Sequence, residues 1–184
     1  MILYVNACVR EASRTARLAG RLLSLLGGPV KEVKLEDLRF PKADEAFLRE
    51  RDRLIAGGAW DDPMFGLARD FAAADTVVVA APFWDLSFPA ALKQYFEQIN
   101  VTGITFTYTE EGLPQGLCRA DRLYYVTTAG GPVFGWDYGF GYVKALAQTF
   151  YGIPEVRLVK AEGLDIAGAD AEGILKQAMD GLVP

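Results

Sequence analysis

The sequence contains no histidine and only two cysteines, Cys8 and Cys118, among its 184 residues. The absence of histidine excludes a Ser-His-Asp triad, a Cys-His dyad and any zinc or haem site with an imidazole ligand. Two cysteines cannot form a four-cysteine metal centre or a disulfide scaffold. We therefore expect no metal site, and two free thiols of the kind kept in reducing compartments.

A strong excess of charge and long apolar runs are also missing. The formal net charge is −5 and the isoelectric point is about 4.8, which argues against a nucleic-acid partner. No apolar run approaches the roughly 20 residues that cross a bilayer, and the N-terminus lacks the pattern of a signal peptide. We therefore expect a cytoplasmic protein without membrane insertion.

Apolar and polar segments alternate in a way that predicts an α/β protein. Hydrophobic residues make up 51% of the chain, enough for one packed domain over residues 1–184. Strands are predicted at 2–5, 30–35, 76–81, 122–128 and 156–162, and helices at 13–26, 45–56, 62–74, 89–99, 140–151 and 169–182. This alternation predicts a three-layer, doubly wound, five-stranded parallel sheet of flavodoxin-like order 2-1-3-4-5. An extended arm, 101–117, follows the third strand and shows no helical pattern.

Three predicted loops end at the same edge of this sheet, where open parallel sheets bind ligands. The first, 7–14, reads ACVREASR and enters a helix at Ser13. Free N–H groups at a helix start favour a phosphate, and two arginines lie close by. A plain serine cap with solvated arginines is the alternative. The loop contains neither G-x-G-x-x-G nor G-K-[ST], so it supports neither a dinucleotide fingerprint nor a P-loop.

The second loop, 82–88, places two aromatic residues at a strand exit, where they can line a pocket for a flat ring or simply cover the core. The third, 129–139, begins with paired glycines, Gly130 and Gly131, which permit close backbone approach to a ligand or form a tight turn. Three such loops meeting at one edge together suggest a planar cofactor with a phosphate, which in this topology points to FMN.

The stretch from Ala81 to Leu117, APFWDLSFPAALKQYFEQINVTGITFTYTEEGLPQGL, resembles the FMN-dependent NAD(P)H quinone reductase and azoreductase family. It is similar to the family pattern A-P-M-[YW]-N-F-x-x-P/S-x-x-L-K-x-[YW]-[FI]-D, followed by G-x-T-F-x-Y-T-x-x-G-x-x-G-L. Residues 5–15 resemble the family pattern V-x-x-S-x-R-x-x-S-x-S, and residues 128–131 resemble S-x-G-G.

The resemblance implies a homodimer, bound FMN, and NADH or NADPH as reductant. By position it assigns the cofactor phosphate to Cys8, Arg10, Ser13 and Thr15. It assigns the flavin ring to Pro82, Phe83, Trp84, Asp85 and Leu86 along one side and to Thr128, Ala129, Gly130 and Gly131 at the other edge, with Tyr108 and Phe150 near the substrate. Ser13 and Thr15 at a helix start suit the terminal phosphate of FMN rather than FAD.

This chain departs from the family pattern at Cys8, where serine is usual, at Asp85, where asparagine is usual, and at Leu86 and Ala129. A thiol still donates weakly, but a carboxylate cannot donate a hydrogen bond to a flavin carbonyl. Asp85 therefore either acts on the flavin as a negative charge or caps the helix that begins near Pro89.

The function implied is two-electron, ping-pong reduction of a small-molecule electron acceptor, a quinone or azo compound. No protein acid or base is needed for the first half-reaction, because the flavin carries the chemistry. A flavodoxin-type electron carrier and a flavin-free interaction or regulatory dimer on the same fold are the alternatives.

Overall fold

The computed structural model describes residues 1–135 and 138–183. Trp136 and Asp137, within the predicted loop 129–139, and Pro184, within the predicted domain, lie outside the described residues. The central sheet consists of β1 (Ile2–Asn6), β2 (Val30–Lys34), β3 (Thr76–Ala80), β6 (Arg122–Thr128) and β7 (Glu155–Ala161). All neighbours in this sheet are parallel, in the order β2-β1-β3-β6-β7, so the predicted topology is confirmed.

The position of each strand in the sheet follows from its composition. β1 lies in the interior of the sheet and is buried at every position, and in β3 all but the first residue are buried, because helices cover both faces. In β2, an edge strand, only Val33 is buried. That strand ends one residue earlier than the sequence predicts, because Leu35 begins a 3-10 turn that packs its side chain inward.

Six α-helices surround the sheet: α1 (Arg14–Leu26), α2 (Glu45–Ala56), α3 (Gly66–Ala72), α4 (Ala90–Ile99), α5 (Phe140–Leu146) and α6 (Ala171–Asp180). α1 and α6 pack on one face, where Leu18, Leu22 and Leu175 are fully buried. The other face holds the larger core, with Phe71 from α3 and Phe96 from α4.

Two predicted helices differ in their local form. The segment predicted as a helix at 62–74 begins as a 3-10 turn, Pro63–Phe65, because Asp62 caps that turn by accepting from Met64 N. The helix predicted to end at 151 leaves the α form at Leu146 and continues as a π-helix, Ala147–Tyr151. A π-turn inserts one residue per turn, so it rotates the following side chains relative to an α-helix.

The arm at 101–117 is extended, as predicted, and forms a small antiparallel hairpin of β4 (Phe106–Tyr108) and β5 (Pro114–Gly116). Its base is fixed by the buried Thr105 hydroxyl, which donates to Ile99 O at 2.7 Å. Gly116 lies against the backbone of Tyr151 and Gly152 so closely that any Cβ would overlap it. The π-helix therefore docks the arm onto the domain.

No helix within residues 1–135 and 138–183 combines the length and the apolar character needed to cross a membrane.

Candidate functional site

A cleft of about 410 Å³ opens at the carboxyl ends of the central strands. Its walls come from the loops after β1, β3, β6 and β7. The lining residues are Cys8, Val9, Arg10, Ala12, Ser13, Arg14, Thr15, Pro82, Phe83, Trp84, Thr128, Ala129, Gly130, Leu164 and Asp165. The three loops expected to converge therefore do so, as the shared edge of a parallel sheet requires.

The loop after β1 is held rigidly by Asn6, the buried last residue of that strand. Asn6 Oδ1 accepts from Cys8 N at 2.9 Å, and Asn6 Nδ2 donates to Glu32 Oε1 at 2.8 Å. Further along, Ser13 N donates to Arg10 O at 3.1 Å. These bonds fix the turn that leads the chain into α1.

Ser13 is the N-cap of α1 and its hydroxyl accepts from Ala16 N at 3.2 Å. The first N–H groups of a helix have no intrahelical acceptor, so the amides of Arg14 and Thr15 are available to a ligand oxygen in the cleft. The positive end of the helix dipole lies at the same point. This end of the cleft is built for an anion.

Cys8 lies at the floor of the same loop, with its Sγ 3.8 Å from Ala80 O. Burial raises the pKa of the Cys8 thiol, although a hydrogen bond with Ser13 opposes the shift. The sulfur therefore stays protonated at neutral pH and acts as a weak donor rather than a nucleophile.

The loop after β3 forms a tight two-residue turn. Ser87 N donates to Trp84 O at 2.8 Å and Trp84 N to Ser87 O at 3.2 Å. Both central residues have positive φ, 50° at Asp85 and 66° at Leu86, which is the pattern of a type I′ turn. Aspartate tolerates this region, whereas leucine is strained there.

Asp85 does not cap α4. The N-cap of that helix is Pro89, and no side chain makes a capping hydrogen bond to it. The carboxylate of Asp85 is exposed and belongs to the turn at the mouth of the cleft. The helix-cap alternative is therefore wrong, because the turn at residues 84–87 ends before the helix begins.

The loop after β6 is tied to the loop after β7. Leu164 N donates to Ala129 O at 3.2 Å, Asp165 N to Gly130 O at 2.9 Å, and Gly163 N to Gly131 O at 3.2 Å. A Cβ at Gly130 would overlap the Asp165 carboxylate in its observed position, so glycine lets that carboxylate lie against the backbone. Leu164 and Asp165 thus enter the wall of the cleft although the sequence did not single them out. The sequence did contain one signal for them, because the fifth predicted strand ends at the same edge of the parallel sheet as the strands before the other three loops.

Four residues predicted to contact a ligand are not part of the cleft wall: Asp85, Leu86, Gly131 and Tyr108. Phe150, also predicted there, packs edge-on against Phe106, with 4.9 Å between ring centroids. Phe106 in turn contacts Tyr108 at 5.5 Å. Phe150, from the π-helix, therefore supports the arm, and Tyr108 projects from it half exposed.

Comparison with known proteins agrees with this architecture. The sequence profile of the family described as flavodoxin-like fold matches residues 1–183. An FMN-dependent NADH:quinone oxidoreductase 2 of Clostridium acetobutylicum is 35% identical over 97% of this chain and 94% of its own length. An FMN-dependent NADH:quinone oxidoreductase of Coprothermobacter proteolyticus has the same identity and coverage.

Solved structures show the same fold. The azoreductase from Bacillus anthracis strain Sterne superposes with a TM-score of 0.84 at 24% identity, covering 97% of this chain and 94% of that one. The FMN-dependent NADH-azoreductase from B. anthracis strain Ames Ancestor, solved in complex with FMN, gives 0.80 at 23% identity, covering 97% and 93%. The family resemblance found in the sequence is thus confirmed, and the chain belongs to the flavodoxin-like family that includes the FMN-dependent NADH:quinone oxidoreductases.

Proposed function

We propose that this protein is an FMN-dependent NAD(P)H oxidoreductase that reduces quinones, azo compounds or both by two-electron, ping-pong transfer. The observation that carries the proposal is the cleft, in which a helix N-terminus and two further strand-exit loops meet. The curated relatives are named for NADH, which favours NADH as the reductant here.

The cleft fits FMN in both shape and polarity. Its volume of about 410 Å³ lies within the range of small-molecule sites. At the anion-binding end, Ser13, Thr15, Cys8 and Arg10 would hold the phosphate, with Arg10 free of any ion pair to a described carboxylate. Pro82 to Leu86 would lie along the ring, and Thr128 to Gly131 would hold its other edge, where Gly130 keeps the backbone accessible.

When bound, FMN would supply the two-electron redox chemistry that links the nicotinamide to the second substrate. The chain would bind and orient this cofactor. The start of α1 would hold its phosphate, and the turn at residues 84–87 would form the opposite wall of the cleft. The cleft holds no histidine, and its one thiol, Cys8, stays protonated. The protein therefore contributes geometry and electrostatics rather than an acid or base.

We propose that two chains associate with their clefts facing the shared interface. The support is a set of exposed apolar side chains in the loops after β3 and β6 and on the arm: Trp84, Leu86, Tyr108, Leu113, Leu117, Phe134 and Tyr138. Exposed apolar patches of this kind mark interaction surfaces. In such a dimer, Tyr108 would border the acceptor site, backed by Phe106 and Phe150.

The remaining parts of the proposal concern location and domain organisation. A cytoplasmic location is supported by the two free cysteines, Cys8 and Cys118. A single flavodoxin-like domain over 1–184 is supported by the one central sheet and by the profile match over 1–183.

A visible spectrum of the purified protein, titrated with FMN and then with NADH without oxygen, tests the proposed activity. Flavin binding followed by bleaching with NADH, and by recovery of colour when a quinone is added, is the expected result. Binding without bleaching by NADH would favour an electron carrier. Absence of binding would favour a flavin-free dimer.

A further inference from the structure

An ion pair spans the anion-binding end of the cleft. Arg14 Nη1, from the first turn of α1, lies 2.7 Å from Asp165 Oδ1, from the loop between β7 and α6. Both residues line the cleft. The Asp165 carboxylate thus lies beside the start of α1, where the phosphate of the proposed cofactor would bind.

The carboxylate is held there by the fold. Asp165 N donates to Gly130 O, and the Asp165 side chain lies over Gly130, leaving no space for a Cβ. Its presence has a local reason, because a cation in the first turn of a helix is opposed by the helix dipole and a neighbouring anion offsets that cost. The same anion occupies the guanidinium with which a phosphate at this helix end would otherwise pair.

We propose that Asp165 and the cofactor phosphate compete for Arg14. The guanidinium pairs with Asp165 in the cofactor-free protein and turns to the phosphate when the cofactor binds, so Asp165 lowers the affinity for phosphorylated flavins. The inference rests on the proposed function, because it requires an anionic flavin in this cleft. Riboflavin lacks the phosphate, so it does not compete with Asp165 for Arg14.

The size of the effect follows from the exposure of the pair. The side chains of Arg14 and Asp165 are 36% and 68% exposed, so water and salt screen their interaction. Neutralising Asp165 should therefore change the FMN affinity by about two- to fivefold rather than by orders of magnitude. The change should shrink as ionic strength rises.

The chain provides a matched control one turn further along α1. Arg17 makes a two-pronged ion pair with Glu172 of α6, at 2.7 and 2.8 Å, outside the cleft. Glu172→Gln removes one negative charge from the same pair of segments without touching the contact between Arg14 and Asp165. It therefore separates competition for Arg14 from a general change in surface charge.

The test is a fluorescence titration of the apoprotein with FMN and, separately, with riboflavin, at low and high salt. Asp165→Asn should lower the FMN dissociation constant about two- to fivefold at low salt and leave that of riboflavin unchanged. Glu172→Gln should change neither. In an Arg14→Gln background, Asp165→Asn should have little further effect, because the contested partner is gone.

An FMN affinity that is unchanged or weakened in Asp165→Asn, while the wild type binds both flavins, would overturn the competition and leave the proposed cofactor intact. If Asp165→Asn strengthened FMN binding equally in the Arg14→Gln background, the competition would also be overturned. Repulsion between Asp165 and the phosphate would then explain the gain without Arg14. Failure of the wild type and every variant to bind either flavin would overturn the proposed function, and the competition with it.

Discussion

The hydroxyls of Thr15 and Thr128 lie 2.7 Å apart, in a buried contact that joins the first turn of α1 to the last residue of β6. Thr15 is 113 residues away from Thr128 in sequence. Their bond fixes the helix N-terminus against the strand exit, and so sets the width of the cleft at its anion-binding end. The two loops that would hold opposite ends of a flavin are thus coupled directly.

Thr128→Val should lower the unfolding free energy by about 1–3 kcal/mol, because it leaves the buried Thr15 hydroxyl without its partner. Thr15→Val should have a similar cost. The double variant should be less destabilised than the two single effects added together, because no unsatisfied hydroxyl remains. Urea unfolding measures the free energy of unfolding of the wild-type apoprotein, the two single variants and the double variant. Strictly additive effects of the two substitutions would show that the hydroxyls do not interact.

Arg10→Ala should weaken FMN binding by about 1–3 kcal/mol and riboflavin binding much less, because the lost interaction is with a phosphate. Flavin fluorescence titration measures both constants. Arg21→Ala, which removes an exposed arginine from the middle of α1, is the control and should change neither constant. Equal weakening of both flavins by Arg10→Ala would contradict the phosphate assignment.

Asp85→Asn should raise the midpoint potential of the bound flavin. Two-electron reduction leaves negative charge on the ring, and at a separation of about 5 Å a carboxylate would oppose that charge. Because Asp85 is exposed and screened, the expected rise is about 20–70 mV. Redox titration at pH 7 measures it.

The control for this titration is Asp61→Asn, which neutralises an exposed aspartate outside the cleft and should leave the potential where it was. A potential that stays constant or falls in Asp85→Asn would show that this carboxylate does not act on the flavin.

Leu86→Gly should stabilise the apoprotein by about 0.5–1 kcal/mol, because φ of 66° costs an L-residue more than glycine loses in chain entropy. Leu113→Gly, at another exposed leucine but one without positive φ, should destabilise by about 0.5–1 kcal/mol. Urea unfolding compares the two. Equal destabilisation by both substitutions would show that the turn at residues 84–87 relaxes in solution.

Light scattering at micromolar concentration should give the mass of a dimer. Tyr108→Glu should shift that mass toward the monomer and lower reductase activity, because it places a charge in the apolar surface of the arm. Leu25→Glu, on the exposed side of α1, should do neither. A monomeric wild type with full reductase activity would contradict the dimer.

The layout of the sheet could be predicted from local patterns in the sequence. The buried runs of β1 and β3 and the amphipathic pattern of α1 are local signals, and together with right-handed crossovers they fix the strand order. The strand order in turn selected the loops after residues 6, 81 and 128. Ser13 could be identified as the cap of α1 because capping depends on residues close in sequence.

Which other groups face those loops depends on long-range contacts, and these are visible only in the folded structure. Asp165 reaches Arg14 from 151 residues away, through a loop whose position is set by hydrogen bonds to Ala129 and Gly130. The left-handed backbone at Leu86 contradicts the preference of leucine, so local propensity could not reveal it. The π-helix that follows α5 likewise ends against Gly116 of the arm, a contact between segments far apart in sequence. These features depend on long-range contacts, which override the local preferences that a sequence displays.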